Sequence, residues 1–136
     1  MARFRNEHTI ASSCEIHGRG YWTGQNVRVA IHPAPMGTGV QLIRSDIDGA
    51  PCCAALVDCR EDASLRTNLV GRAATGQSEA KFQMVEHLMA ALASLEIDNC
   101  YVEIDAEELP ALDGSSLAFA EALSHAGLII QAAPKH

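Results

Sequence analysis

The stretch QMVEHLMAALASL, Gln83 to Leu95, narrows the possible folds more than any other part of the chain. Val85, Leu88, Met89, Leu92 and Leu95 or Glu96 recur at helical spacing, with small residues filling the remaining positions. That spacing predicts a helix over Gln83–Leu95 with one apolar face, and the face has to be buried against another element. Short alternating segments on either side provide it. VRVAIHP (Val27–Pro33) has period two and stops at a proline, while NCYVEIDA sets Cys100, Val102 and Ile104 against Tyr101, Glu103 and Asp105. HTIASSCEIH (His8–His17), VQLIR and TNLV read as further strands, with a weaker pattern between Pro51 and Asp58. LDGSSLAFAEALSHAGL is a second helix. Asp113, Ser115 or Ser116 can cap its start, and Gly127 can close it with Leu128 as the apolar residue that follows. Gly18, Gly20 and Gly24 read as turn formers, and GRAATGQSEA (Gly71–Ala80) as an exposed loop. The expected fold is α+β: a two-layer sandwich of a mixed or antiparallel sheet with two helices packed on one face.

No repeat, linker or low-complexity tract divides the 136 residues, so a single domain over 1–136 is expected. Aromatic residues are only 4% of the chain, which leaves Leu, Ile, Val and Ala to build the core. A formal charge of −7 argues against nucleic acid and anionic membrane as partners. MARFRNEHTI lacks the apolar run of a signal peptide and no stretch approaches a membrane span, so a cytoplasmic protein is expected. The cysteines at 14, 52, 53, 59 and 100 are odd in number and contain no CxxC. They read as buried or idle thiols rather than a disulfide framework or a thiolate zinc site.

Glu86 and His87 open the first helix. There the free N–H groups and the positive end of the helix dipole favour a carboxylate and disfavour an imidazolium. A general base and a neutral metal ligand could share this helix end. An ordinary first-turn glutamate beside a partly exposed histidine fits three letters just as well. The other histidines add no obvious ligands: His8, His17 and His32 lie at strand ends, His136 is terminal, and Glu121 with His125 reads as a surface i,i+4 pair. A catalytic zinc takes three protein ligands and an open position, and one credible ligand is visible.

Longer stretches carry more. MVEHLMAALASLEIDNCYVEIDAEELPALDGSS (Met84–Ser116), RGYWTGQNVRVAIHPAPMGTGVQLIRSD (Arg19–Asp46) and LRTNLV (Leu65–Val70) resemble, in collinear order, the zinc-dependent UDP-3-O-acyl-N-acetylglucosamine deacetylases of lipid A biosynthesis. The resemblance runs from about residue 8 to 130 and matches the first of that family's two similarly folded halves. It implies that Glu86 is the general base, that His87 is one Zn2+ ligand, and that Leu65, Arg66, Thr67 and Trp22 contact a UDP-sugar/acyl ligand. The family's remaining ligands, a His and an Asp, come from its second half, which is expected to be absent here. On this view a homodimer, or a separate second-half partner chain, completes the site; otherwise the chain is a non-catalytic binding or regulatory module. Three positions depart from the family pattern. Trp22 replaces the histidine of a Gly-x-His-Ser/Thr-Gly turn, Arg66 replaces a small or apolar residue, and Met84 replaces a Ser or Thr placed to cap the helix. The lost cap is worth on the order of 1 kcal/mol.

Overall fold

A computed structural model of the protein describes residues 4–71 and 79–136. In chain order its strands are β1 (Asn6–Ile10), β2 (Cys14–Arg19), β3 (Asn26–Pro33), β4 (Val40–Arg44), β5 (Cys52–Ala54), β6 (Arg60–Glu61), β7 (Asn68–Gly71) and β8 (Ala80–Phe82). Helix α1 (Glu86–Ser94), β9 (Cys100–Ile104), α2 (Leu117–Ala126) and β10 (Leu128–Pro134) follow. The main sheet has the order β2-β3-β9-β4-β5; β4 and β9 run parallel and the other pairs antiparallel. A three-stranded sheet, β6-β7-β8, and the pair β1-β10 complete the architecture. This is the expected α+β class with a mixed sheet.

Register decides which side chains enter the core. Ile16 lies opposite Val29, Val29 opposite Ile104, Ile31 opposite Val102, and Leu42 opposite both Val102 and Cys53. Cross-strand partners share a face, so these residues form one apolar surface, and all are buried. Val85, Leu88, Ala91 and Leu92 of the first helical segment and Phe119, Leu123 and Ala126 of α2 belong to the same core. The opposite face carries Glu15, His17, Arg28, His32, Glu103 and Asp105. Along it Glu15 hydrogen-bonds both Arg28 and His17, and His32 approaches Glu103. Burial pushes the Cys53 and Cys100 thiols up to about 12, so both stay protonated in the core at neutral pH.

Several boundaries differ from the sequence reading, each for a backbone reason. The strand expected over His8–His17 is two strands, because Ala11 and Ser12 donate to the carbonyls of Gly127 and Ala126 at 3.0 and 3.1 Å and turn the chain between sheets. Helix α1 begins at Glu86 rather than Gln83. Gln83 donates to the Glu107 carbonyl (2.8 Å) and accepts from Leu109 (3.0 Å), and Met84 has φ +60°, which ends helical continuity. Gly127 closes α2 as expected, and the residue after it, Leu128, also starts β10 opposite Ile10. The exposure of Leu128, Ile129 and Ile130 removes the alternation by which β10 would have been recognised. Of the loop expected over Gly71–Ala80, residues 72–78 lie outside the described residues, whereas Gly71 and Ala80 are buried and pair with each other.

A polar cluster holds the ends of the chain to the helical layer. His8, expected at the surface, is buried, and its Nδ1 lies 3.0 Å from the Glu96 carbonyl. The Asp98 carboxylate accepts from Arg5 (2.6 and 2.9 Å) and from the His8 N–H (2.8 Å), with the Lys135 ammonium 3.2 Å away. Burial works to raise the Asp98 pKa, but these donors together outweigh it and hold it at about 2. A folded-state value below the unfolded one contributes stability that is full above the unfolded pKa and is lost as pH falls through the folded pKa. Asp98→Asn is therefore expected to destabilise the fold by roughly 2–3 kcal/mol at pH 7. In urea titrations the difference from the parent should shrink between about pH 4 and pH 2, the window set by the Asp98 shift.

Candidate functional site

Four segments meet at the start of α1. The loop before β7 is fastened to it twice: Val85 donates to the Thr67 carbonyl at 3.1 Å, and Thr67 donates its N–H to Glu86 Oε2 at 3.0 Å. One carboxylate oxygen of Glu86 is thus fixed by backbone, and its other oxygen accepts no hydrogen bond among the described residues. His87, on the next position, lines a cavity of about 320 Å³ together with Tyr21, Trp22, Leu65, Met84, Ala111 and Gly114. Arg66 stands over the Trp22 ring, its guanidinium carbon 5.1 Å from the centroid, and Tyr21 meets the same indole edge-on at 5.1 Å and 87°. All six residues singled out from sequence, Trp22, Leu65, Arg66, Thr67, Glu86 and His87, therefore gather at one place.

The Trp22 turn is held by a residue the sequence reading passed over. Glu108 is 1% exposed, and its carboxylate accepts the N–H groups of Trp22 and Thr23, each at 2.8 Å. Burial acts to raise its pKa, but the donors from Trp22, Thr23 and Tyr21 prevail and keep it below the usual carboxylate range. Gly20 is required beneath this contact, because a Cβ there would overlap the Glu108 carboxylate and the Thr23 hydroxyl. A signal for Glu108 does exist in the sequence. Cys100, Val102, Ile104, Ala106 and Glu108 share one parity and all are buried, so the glutamate continues the inward face.

Strain collects around the cavity. Leu65, Met84 and Leu112 have φ of +61°, +60° and +54°, a left-handed conformation that costs a branched or bulky side chain of order 1 kcal/mol or more. Leu65 is also 88% exposed, so neither backbone preference nor burial explains its position. Met84 shows how the helix does without its side-chain cap: the segment is tethered instead by the Thr67 bonds and by a long contact from Met84 N–H to Asn68 Oδ1 (3.4 Å).

Asp113, one of three residues read as able to cap α2, acts through another of them, Ser115. Its Oδ1 accepts both the Ser115 hydroxyl (2.7 Å) and the Ser115 N–H (3.0 Å), and Ser115 Oγ in turn accepts the Leu117 N–H (3.2 Å). The Ser115 hydroxyl chiefly, then its N–H, lowers the Asp113 pKa, and the nearby His87 adds a small effect in the same direction. Glu121 and His125 do not form a side-chain pair: the His125 ring bonds the Glu121 backbone carbonyl at 2.9 Å. Among the described residues no three His, Cys, Asp or Glu side chains are grouped to hold a metal ion. A catalytic zinc needs three protein ligands, so this donor set does not fit one by itself.

The sequence model of LpxC, UDP-3-O-acyl N-acetylglycosamine deacetylase, matches residues 7–136. Among similar proteins, the UDP-3-O-acyl-N-acetylglucosamine deacetylase of Myxococcus xanthus is 38% identical over 130 residues, covering 96% of this chain and 40% of the relative. The bifunctional enzyme LpxC/FabZ of Chlorobaculum tepidum is 37% identical over 131 residues, 96% of this chain and 27% of the relative. A deacetylase from a Shewanella species is 36% identical over 129 residues, 95% of this chain and 40% of the relative. The chain therefore spans well under half the length of these relatives. No helix among the described residues is long and apolar enough to cross a membrane.

Removing Glu108 would take the acceptor from two part-buried, charge-assisted hydrogen bonds, those donated by the Trp22 and Thr23 N–H groups, each worth about 1.5–3 kcal/mol. Glu108→Ala is expected to lower unfolding free energy by roughly 3 kcal/mol, measured by urea denaturation, and to red-shift the emission of Trp22 as its turn loosens. An unchanged midpoint and spectrum would show that the carboxylate does not hold the turn.

Proposed function

The chain belongs to the UDP-3-O-acyl N-acetylglycosamine deacetylase family, and from that premise we propose that it supplies the base-bearing part of a zinc-dependent amide-hydrolysing site. The observation that carries the reading is the Glu86 carboxylate, held through one oxygen by the Thr67 N–H beside a His87 that lines an apolar-walled cavity. In this reading the free oxygen of Glu86 takes a proton from the attacking water, and the fixed oxygen keeps the group from swinging away. His87 contributes one donor. The described residues do not complete a zinc site, so the remaining donors come from a second copy of this chain or from a segment or chain like the second half of the relatives. The exposed rim of Tyr21, Trp22 and Leu65 is apolar surface that such a partner would cover. The substrate class is the UDP-3-O-acyl-N-acetylglucosamine of the relatives' names.

The Trp22–Arg66 stack favours a second reading, in which the site binds a UDP-sugar or acyl ligand, or a full-length relative, without hydrolysis. A ring and a cation recognise ligands more directly than they activate water.

Mixing the purified chain with a separately expressed second-half segment of a relative, and following metal content, solution mass and deacetylation together, tests the first reading. The expected result is zinc bound by the assembly and a hydrolytic rate that Glu86→Gln lowers by about 10²–10⁴-fold with metal content unchanged. A chain that stays monomeric and metal-free and gains no activity with the partner sinks the proposal. If Glu86→Ala leaves ligand affinity intact while no hydrolysis is ever observed, the binding-module reading takes its place.

A further inference from the structure

Adjoining the Trp22 cavity is a second one of about 340 Å³, lined by Arg60, Glu61, Asp62, Ser64, Arg66 and Thr67. Its two arginines and two acids do not all pair off with one another. Arg60 hydrogen-bonds Asp62 at 3.0 Å, and Glu61 is drawn to the Lys81 ammonium at 3.2 Å. Asp62 is 98% exposed and leans into solvent. Arg66 is left over. Every Asp and Glu of the chain lies among the described residues, yet none forms an ion pair with Arg66.

The guanidinium is nonetheless held in place. It sits over the Trp22 ring at 5.1 Å, which suits a cation on an aromatic face and fixes the plane of the fork. Its one hydrogen bond among the described residues is long, 3.4 Å from Nη1 to Gln83 Oε1. Its Nε is buried and has no partner among the described residues. An unsatisfied buried donor on an oriented, unpaired cation is a standing cost that a bound acceptor removes. Ser64 and Thr67 line the same cavity, and neither hydroxyl donates to a protein acceptor among the described residues.

We propose that Arg66 is the centre of a binding site for a phosphate or diphosphate group, with Trp22 behind the guanidinium and the Ser64 and Thr67 hydroxyls beside the anion. A planar fork with several free N–H donors matches the tetrahedral oxygens of phosphate, and hydroxyls supply the shorter additional bonds. The flanking acids and the net charge of −7 oppose a long polyanion, so the ligand is a small one. This goes beyond the deacetylase reading and does not require it. If that reading holds, the anion is the diphosphate of the sugar nucleotide, placed one cavity away from His87.

Trp22 is the only tryptophan of the chain, so its emission reports on the group stacked above it. The test is titration of the whole chain with inorganic pyrophosphate, UDP and uridine, read by Trp22 fluorescence and in parallel by calorimetry. Pyrophosphate and UDP are expected to saturate and to weaken with added salt, and uridine is expected not to bind. UDP at least tenfold tighter than pyrophosphate identifies a nucleotide ligand; equal affinities identify a free phosphate anion, and both support the site. Arg66→Gln should weaken binding at least tenfold, Arg66→Lys should fall between, and Arg19→Gln, on β2, should stay within twofold. Matching circular dichroism and melting curves keep the comparison between folded proteins. Calorimetry that detects no pyrophosphate binding, uridine binding as tightly as UDP, or Arg66→Gln within twofold of the parent overturns the proposal. Because the readout is binding, it can fail while complemented hydrolysis survives, and hydrolysis can fail while it stands.

Discussion

A carboxylate with almost no access to water has to be fully satisfied, and Glu108 meets that condition by gathering backbone N–H groups from a turn more than eighty residues earlier in the chain. Much of the site depends on that requirement. The turn presents Trp22, Trp22 supports Arg66, and the backbone just beyond it, at Leu109, bonds to Gln83 at the approach to α1. One internal acceptor therefore links the aromatic wall of the cavity with the start of the helix that carries Glu86 and His87. A neutral or shorter side chain at 108 could not bind the turn through two acceptor oxygens.

The strands that alternate cleanly, Val27–Pro33, Val40–Arg44 and Cys100–Ile104, were legible because one face of the main sheet is dry and the other wet. Both helices were legible from their apolar stripes. Two of the three short strands of the second sheet were harder to read: β6 and β8 have two and three residues, too few for a usable period, and Ala80 had been read as the end of a loop. β10 was missed because exposed Leu, Ile and Ile follow the helix with no polar interruption. At the site, the six residues found through resemblance do converge, but composition and spacing alone gave only Glu86 and His87. The contact between Thr67 N–H and Glu86 is a backbone donation, and backbone donations leave no trace in side-chain identity.

Buried charge was the most informative signal left unused. Arg44 and Glu108 both stand at inward parity, after Val40 and Leu42 in one case and after Ile104 and Ala106 in the other. Each is fully engaged: Arg44 grips Asp46 through two bonds of 2.8 and 2.7 Å and donates to the Lys81 carbonyl at 2.9 Å, tying the main sheet to the smaller one. Polar residues at core positions of a strand mark where two parts of a fold are joined by specific bonds rather than by apolar packing. Here one joins the sheets and the other secures the wall of the cavity.

The strand order β2-β3-β9-β4-β5 puts the penultimate strand of the chain in the middle of the main sheet. β3 and β4 are neighbours in sequence but each hydrogen-bonds to β9 and not to the other, so neither inner edge is closed until Cys100–Ile104 is available. A chain emerging from a ribosome would hold two hairpins with open edges, β2-β3 and β4-β5, until that strand arrived between them. Sheet assembly is therefore a late, non-local event that involves almost the whole chain, and the fold is made slowly and all at once rather than piece by piece.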